Sequence, residues 1–192
     1  MLKDLVLKNR SYRRFDETFP IDTGTLHDLI DLTRMTPSGA NLQPLKYILS
    51  CETGDNSLVF PHLAWAGYLM EWDGPAIGER PSAYIIILHD TDISNDPGCD
   101  HGIAAQTILL GAAEKGIGGC MIGSIKRKNL RRDLKIDTRY EILLVIALGK
   151  PAEKVLIEEV RDGDIWYWRD ENGSHHVPKR RLEEIILSPR RN

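Results

Sequence analysis

The sequence predicts an α+β fold in which helices pack around a single sheet. Three stretches, 45–51, 83–89 and 140–148, are predicted as buried strands because large apolar residues dominate them. Segments with apolar residues at helical spacing separate these strands along the chain. A fourth stretch, 165–177, has aromatic residues in alternation before an Asn-Gly turn and predicts a hairpin. With no internal repeat or interdomain linker, this order favours one sandwich domain over residues 1–192.

The composition is that of an ordinary globular protein. The chain has 192 residues, of which 42% are apolar and 28% are charged, enough for one domain with a sizeable core. Its net charge of −3 argues against a nucleic-acid-binding protein, which usually carries a basic excess over a whole face. The longest apolar runs, 84–88 and 142–148, are far shorter than the roughly 20 residues of a membrane-spanning helix. We therefore expect neither nucleic acid nor a membrane as a partner.

The N-terminus and the cysteines favour a cytoplasmic location. An acidic residue stands among the first five, and no continuous apolar core follows, so the sequence predicts no signal peptide. The three cysteines, Cys51, Cys99 and Cys120, are widely spaced without a C-x-x-C motif, which suits reduced thiols better than disulfides. The adjacent His175 and His176 would point to opposite faces of a strand, so we expect no metal site there.

Capping and turn residues give the boundaries of the remaining elements. Asp22 or Thr23 is the N-cap candidate for a helix that must end before Pro37. Residues 102–115 are so small and apolar that this helix should be buried nearly all round, at a subunit interface or in a monomer core. Further helices are predicted at 2–8, 57–69, 126–134 and 182–186, and loops at 36–44, 74–81 and 90–100.

A cluster of cations stands close to the N-terminus. Within seven residues the chain carries Arg10, Ser11, Arg13 and Arg14. Guanidinium groups match phosphate oxygens two at a time, and a serine hydroxyl adds one more donor. The alternative is a solvated charged face, which is the usual role of such a cluster. Because Lys179 and Arg180 form a second basic group near the other end, our hypothesis is that the two ends meet on one anion.

The loop 36–44 is a second candidate for ligand contacts. It carries the side-chain amides of Asn41 and Gln43 and is stiffened by Pro44. Either it is a polar connection between a helix and a strand, or its amides bind a planar heterocycle.

The glycine-rich stretch 116–124 does not match the common nucleotide-binding loops. Met121 stands where a dinucleotide fingerprint needs a small residue, and Ser124 stands where a P-loop needs lysine. Its glycines are better explained by a helix C-cap, followed by backbone that approaches a flat group too closely for side chains.

Six short motifs together resemble a known family. They are Arg-Ser-Tyr-Arg-Arg-Phe at 10–15, Pro-Ser-Gly-Ala-Asn-Leu-Gln-Pro at 37–44, Trp-Ala-Gly-Tyr-Leu at 65–69, Glu-Arg-Pro-Ser-Ala-Tyr at 79–84, the glycines of 116–123 and Val-Pro-Lys-Arg at 177–180. In this order they resemble the nitroreductase-like flavoproteins over nearly the whole chain. The resemblance implies a three-layer sandwich with a mixed, mostly antiparallel sheet flanked by helices. It also implies a homodimer with FMN at each of two sites on the subunit interface.

The resemblance also implies which residues bind the cofactor. The ribityl chain and phosphate would be held by Arg10, Ser11, Arg13, Lys179 and Arg180. The partner subunit would contribute Pro37, Ser38, Gly39 and Asn41. The flavin ring would lie against Met121, Ile122 and Gly123. This chain departs from the pattern at Gly39, where a second serine is common, and that change removes one hydroxyl.

The implied reaction is a ping-pong hydride transfer from NADH or NADPH, through flavin N5, to a nitroaromatic, a quinone or a similar acceptor. Since the cofactor carries the chemistry, no catalytic side chain and no metal are expected. Two other classes stay open. One is a related flavoprotein for reductive dehalogenation or flavin breakdown, and the other is a non-catalytic binder of flavin or another polyanion. The sequence leaves the acceptor and the nicotinamide preference open.

Overall fold

Within residues 1–188, the computed structural model of the protein contains two β-sheets and six α-helices. The larger sheet consists of β1 (Phe15–Asp16), β2 (Leu45–Ser50), β3 (Ala83–Asp90), β4 (Gly118–Ile122) and β5 (Tyr140–Pro151). The smaller sheet consists of β6 (Val155–Glu159), β7 (Trp168–Arg169) and β8 (His175–Lys179). The helices are α1 (Leu2–Lys8), α2 (Thr23–Arg34), α3 (Thr53–Val59), α4 (Asp100–Glu114), α5 (Arg127–Asp133) and α6 (Leu182–Ile185). Residues 189–192 of the predicted domain lie outside the described part of the chain.

The strand β5 is the centre of the larger sheet. One of its edges pairs with β3, which pairs in turn with β2. It also pairs with β4 over residues 145–149 and with β1 at its C-terminal end, and every one of these pairings is antiparallel. All eight residues of β3 are buried, as expected for an apolar strand that is covered on both faces. The predicted α+β fold with a mostly antiparallel sheet flanked by helices is confirmed.

Helices cover both faces of the larger sheet. Side chains alternate along β3, so Ile85 and Ile87 pack with α2 and α4, while Ile86 packs with α3 and α5. The helices α2 and α4 approach closely at Gly111, where a Cβ atom would lie 2.7 Å from Cδ1 of Leu32. The result is the predicted helix–sheet–helix sandwich.

Many predicted boundaries agree with the structure. The helix α1 spans the predicted residues, and the carboxylate of Asp22 caps α2 by accepting the amide of Thr25 at 2.6 Å. The helix α4 is followed by Gly116 at φ +74°, the left-handed position of a C-cap. This helix is less enclosed than predicted, because Gly102 and Gln106 are exposed. No helix within residues 1–188 is both long and apolar enough to cross a membrane.

The helix predicted at 57–69 is wrong. The helix α3 begins earlier and ends at Val59, and a 3₁₀ turn over Phe60–His62 follows it. The physical reason is Pro61, which has no amide hydrogen and would clash with the preceding turn of a continued α-helix. In the irregular segment that follows, Ala66 adopts a φ of +37°.

The prediction of a single sheet is also wrong. Strand β8 lies between β6 and β7 in a separate sheet, parallel to β6 and antiparallel to β7. The predicted hairpin at 165–177 is confirmed by β7 and β8. Strand β6 was not predicted, because its five residues end in two glutamates and give a weak strand pattern. A 2.9 Å salt bridge between Glu153 and Arg169 fixes the hairpin beside the end of β5.

The glycine-rich stretch contains β4, which the sequence did not predict. A Cβ atom at Gly118 would lie 2.5 Å from Tyr12 and from Pro151, and one at Gly119 would lie 2.6 Å from the carbonyl oxygen of Ala147. These two glycines are therefore required by close approach, but the groups that approach them belong to the chain itself.

Candidate active site

A cleft of about 220 Å³ opens where the N-terminal segment, the loop after α3 and the end of β4 meet. Its wall consists of Arg13, residues 64–67, residues 120–124 and Tyr167. The N-terminal segment is held there by its backbone. Ser11 forms an isolated parallel β-bridge with Gly119, and the Tyr12 amide donates to the Gly119 carbonyl at 3.0 Å. These backbone contacts position Arg13 beside the cleft.

Arg13 is the only charged side chain among the described residues that line this cleft. Its Nη1 donates to the carbonyl of Ser11 at 3.3 Å and lies 3.1 Å from Nε2 of His175. The guanidinium carbon also lies 4.8 Å from the centre of the Tyr167 ring. Within residues 1–188 this guanidinium forms no salt bridge. Its positive charge is therefore not neutralised by any carboxylate of the described residues.

His175 is neutral at pH 7 and does not add a second charge. Burial, and then the nearby Arg13 and Arg169, lower the pKa of His175 to about 4. Its Nε2 therefore accepts a hydrogen bond from Arg13. The buried carboxylate of Glu153 accepts the backbone amides of Arg13 and Arg14 and forms its salt bridge with Arg169, not with the Arg13 guanidinium.

Cys120 also lines the cleft, and its side chain is buried. Burial raises the pKa of Cys120, and although Arg13 and the hydroxyl of Ser11 act in the opposite direction, burial has the largest effect. The thiol therefore stays protonated at pH 7, and Cys120 is not a reactive nucleophile. The same contacts place the Ser11 side chain next to the cleft.

Tyr167, which lines the cleft, belongs to a cluster of aromatic side chains. The hydroxyl of Tyr167 accepts the backbone amide of Tyr68 at 3.3 Å, and the two rings lie 4.7 Å apart. The ring of Tyr68 also stacks on Trp166 with centres 5.0 Å apart and an angle of 4° between planes. The loop after α3 and the hairpin of the smaller sheet thus hold one another through their aromatic residues.

The loop 37–44 is built on a buried carboxylate. Ser38 donates its hydroxyl to Asp100 at 2.5 Å, and the amide of Gly39 donates to the same side chain at 2.9 Å. The Ser38 oxygen in turn accepts the amide of Gln43 at 2.9 Å. Asp100, at the first turn of α4, therefore determines the shape of this loop.

The same loop is strained. Ala40, Asn41 and Gln43 all have positive φ, between 47° and 55°, although none of them is glycine. Such conformations persist where the surrounding contacts impose them, and they concentrate at binding sites. The loop borders a surface hollow of about 510 Å³ that is separate from the cleft.

The family follows from a comparison with known protein families. The model described as the nitroreductase family matches residues 6–58 and 68–150. The chain belongs to the nitroreductase family. The predicted family resemblance is confirmed.

Individual nitroreductase relatives agree with this assignment. A Bacillus subtilis protein named "Putative NAD(P)H nitroreductase YodC" is 25% identical over 77% of this chain and 89% of its own. A nitroreductase family protein of Streptococcus pneumoniae has a TM-score of 0.71 at 18% identity, covering 98% of this chain and 100% of its own. An FMN-dependent nitroreductase of Clostridium difficile has a TM-score of 0.62 at 21% identity, covering 78% and 87%. The likeness to the two solved structures concerns the fold.

In this structure, the predicted site residues are spread over several places and do not all lie at the cleft. Four of them line the cleft, namely Arg13, Met121, Ile122 and Gly123. Arg10 does not line it, because its Nη2 donates to the carbonyl of Val6 at 2.6 Å and its buried Nε has no partner within the described residues. Three others border the hollow beside α4, namely Pro37, Ser38 and Gly39. Asn41 is exposed on the same loop.

The predicted cations of the second basic group, Lys179 and Arg180, are exposed. Lys179 is the last residue of β8, and Arg180 follows it with a 3.5 Å contact to Glu184. Lys179 stands four positions after His175, which is roughly 13 Å along a strand. The described part of the chain thus places the N-terminal cluster against the start of β8, with His175 in contact, and not against Lys179.

Sequence reasoning missed several residues of the cleft and its supports. Ala66 and Gly67 lie in the family motif at 65–69, and Cys120 lies in the glycine-rich stretch. None of the three was predicted as a site residue. Tyr167 was visible only as one aromatic residue of an alternating strand. Asp100 has no signal that distinguishes it from the other acidic residues of its loop.

Proposed function

We propose that this protein is an FMN-dependent oxidoreductase that transfers hydride from NADH or NADPH to a nitroaromatic, a quinone or a similar acceptor. The observation that carries the proposal is Arg13, a cation with no salt bridge within residues 1–188, in a cleft that Met121, Ile122 and Gly123 also line. Family membership and the names of the relatives support it. The proposal includes the cofactor-binding roles of the twelve predicted site residues.

The residues of the cleft fit a phosphorylated flavin. Arg13 offers a guanidinium to the phosphate. Ser11 adds a hydroxyl, which lies within hydrogen-bonding reach of the Cys120 thiol. The buried Nε of Arg10, which has no partner within residues 1–188, is a further donor for the cofactor tail. A dianionic phosphate gains about 1.5–3 kcal/mol from each charge-assisted hydrogen bond.

Lys179 and Arg180 are proposed to complete the charge around the phosphate. Both are exposed, and the pair between Arg180 and Glu184, at 3.5 Å, is of the surface kind that contributes little to stability. Long flexible cations of this kind can be recruited by an anion at small cost. This role requires their side chains to extend from the end of β8 towards Arg13.

The ring would lie on the backbone of Met121, Ile122 and Gly123. A Cβ atom at Gly123 would meet nothing closer than Leu144, at 3.9 Å, so the space above this residue is open. FMN supplies hydride acceptance and donation when it is bound. The protein then needs only to bind, orient and exclude water. This agrees with a cleft whose titratable neighbours are a protonated Cys120 and a neutral His175.

We propose a homodimer in which Pro37, Ser38, Gly39 and Asn41 reach the cleft of the partner subunit. Within one chain these residues border a different hollow. Apolar surface at both termini supports association: α1 exposes Leu2, Val6 and Leu7, and segment 182–187 exposes four large aliphatic side chains. Three free cysteines support a cytoplasmic location.

Anaerobic mixing tests the proposed function. The purified protein should carry an oxidised-flavin spectrum that bleaches with NADH or NADPH and recovers on addition of a nitroaromatic or a quinone. Mass spectrometry of the released pigment should identify FMN. A flavin that never bleaches would favour a non-catalytic binder. Bleaching without turnover of either acceptor would favour dehalogenation or flavin breakdown.

A further inference from the structure

A second cavity, of about 290 Å³, lies beside the start of α2, the start of α3 and the loop before β3. None of the residues that line it lines the cleft of Arg13. Ligand pockets usually measure about 300–1,000 Å³, so this one suits a molecule smaller than a typical drug.

Two residues that line this cavity each carry a buried donor with no partner among the described residues. Arg80 lies over the Phe60 ring at 4.2 Å, and its Nε is buried without a hydrogen bond. Within residues 1–188 the Arg80 guanidinium also forms no salt bridge. The hydroxyl of Ser82, two residues along, is buried without a partner as well. Buried donors are nearly always satisfied in folded proteins, so two on one loop indicate an acceptor that binds there.

The remaining lining limits the charge and shape of that acceptor. Arg80 and Glu17 are the only charged residues among those that line the cavity. Arg80 can pair with one negative charge of a ligand, whereas a second negative charge would have no cation to pair with and would be repelled by Glu17. Burial raises the pKa of Tyr84, which keeps its phenol protonated and able to donate. Phe19, Phe60 and Pro81 supply apolar walls of the kind that hold a ring.

We propose that this cavity binds a small aromatic monocarboxylate, with the carboxylate on Arg80 and Ser82 and the ring between Phe19 and Phe60. One cation then meets one anion, and both orphaned donors gain an acceptor. The planar ring fills the apolar part of the cavity. The proposal is independent of the flavin cleft and of the proposed oxidoreductase function.

Titration with sodium benzoate, followed by ¹H–¹⁵N correlation spectra, tests the proposal. The side-chain Nε–H signal of Arg80 and the backbone signals of Ser82 and Asn56 should shift and saturate. Benzyl alcohol, which lacks the charge, and inorganic phosphate, which lacks the ring and carries more charge, should bind at least about tenfold more weakly. Signals of Met121 and Gly123 report separately on any binding in the cleft.

Two variants locate the benzoate site. Arg80→Gln should weaken benzoate binding at least about tenfold, because the charge-assisted hydrogen bonds are lost. Ser57 lines the cavity and is exposed, so Ser57→Trp should block entry without touching the core. Arg34→Gln, which removes an exposed guanidinium from α2, is the matched control and should bind as the parent does.

Three results would overturn the proposal. The first is the absence of a saturable shift at Arg80 and Ser82, with water as the partner of both donors. The second is a set of shifts confined to 121–123, which would place benzoate in the cleft. The third is unchanged binding by both Arg80→Gln and Ser57→Trp.

Discussion

Arg13 and His175 are 162 residues apart in the chain, yet Nη1 of the first lies 3.1 Å from Nε2 of the second. The contact joins the N-terminal cluster to the smaller sheet and leaves the arginine charge unneutralised, because the histidine is a neutral acceptor. An anion in the cleft would meet a cation that is already positioned. The contact is therefore the basis of the proposed phosphate site.

The depressed pKa of His175 predicts an acid-sensitive fold. Between about pH 6.5 and about pH 4 the unfolded chain binds a proton at this residue that the folded chain does not. The free energy of unfolding should therefore fall as the pH is lowered through this window, and the contribution of His175 should be constant above it. Urea unfolding of the parent and His175→Gln at pH 7 and pH 5 measures the effect, since glutamine still offers an acceptor to Arg13.

The loss of stability between pH 7 and pH 5 should be smaller in His175→Gln than in the parent. His27→Gln, which changes an exposed histidine of α2, is the control and should behave as the parent does. Equal losses in His175→Gln and the parent would mean that His175 is protonated in the folded state above pH 5.

Asp100→Ala should loosen the loop 37–44. The change leaves the Ser38 hydroxyl and the Gly39 amide without their acceptor, and we expect a loss of about 3 kcal/mol in the free energy of unfolding. Hydrogen exchange at the amides of Gly39 and Gln43 should accelerate. Asp96→Ala removes a nearby carboxylate that accepts the Gly98 amide in an exposed loop, and it should cost about 1 kcal/mol or less. Unchanged exchange in Asp100→Ala would refute its role as the anchor of the loop.

Gly119→Ala should destabilise the pairing of β4 with β5. The new Cβ would lie 2.6 Å from the carbonyl oxygen of Ala147 and from Cδ2 of Leu109, and overpacking of this kind costs about 1–3 kcal/mol. Gly54→Ala is the matched control, because a Cβ there meets nothing within 4 Å and the residue lies in α3. It should raise stability by about 0.5–1 kcal/mol. Denaturant unfolding measures the change in the free energy of unfolding for both variants. An unchanged free energy of unfolding in Gly119→Ala would contradict the packing argument.

Local patterns predicted most of the fold, whereas long-range contacts determined what they missed. Asp22 and Gly116 were identified as caps because capping chemistry is local. The helix predicted at 57–69 followed the spacing of its apolar residues and took no account of Pro61, although one proline decides where a helix ends. Strand β6 depends on pairing between Val155 and His175, which no local signal reveals. The cleft follows the same rule, because the position of Arg13 was suggested by charge whereas its contact with His175 is purely tertiary.

The double variant Arg13→Ala with Lys179→Ala should purify without colour. The first change removes the cation that lines the cleft. The second removes Lys179, which is proposed to complete the charge around the phosphate from the end of β8. Arg34→Ala with Lys115→Ala deletes the same charge from exposed ion pairs and should stay yellow. Absorption spectra and the ratio of flavin to protein give the comparison. A stoichiometric flavin in the first double variant would mean that the phosphate is held elsewhere.

The most direct test of the proposed phosphate site is a comparison of FMN with riboflavin, which lacks the phosphate, by titration into cofactor-free protein. Arg13→Ala should weaken FMN binding at least about tenfold, because a charge-assisted hydrogen bond is lost, and should leave riboflavin binding nearly unchanged. An equal loss for both flavins, or no loss for FMN, would contradict the assignment of Arg13 to the phosphate.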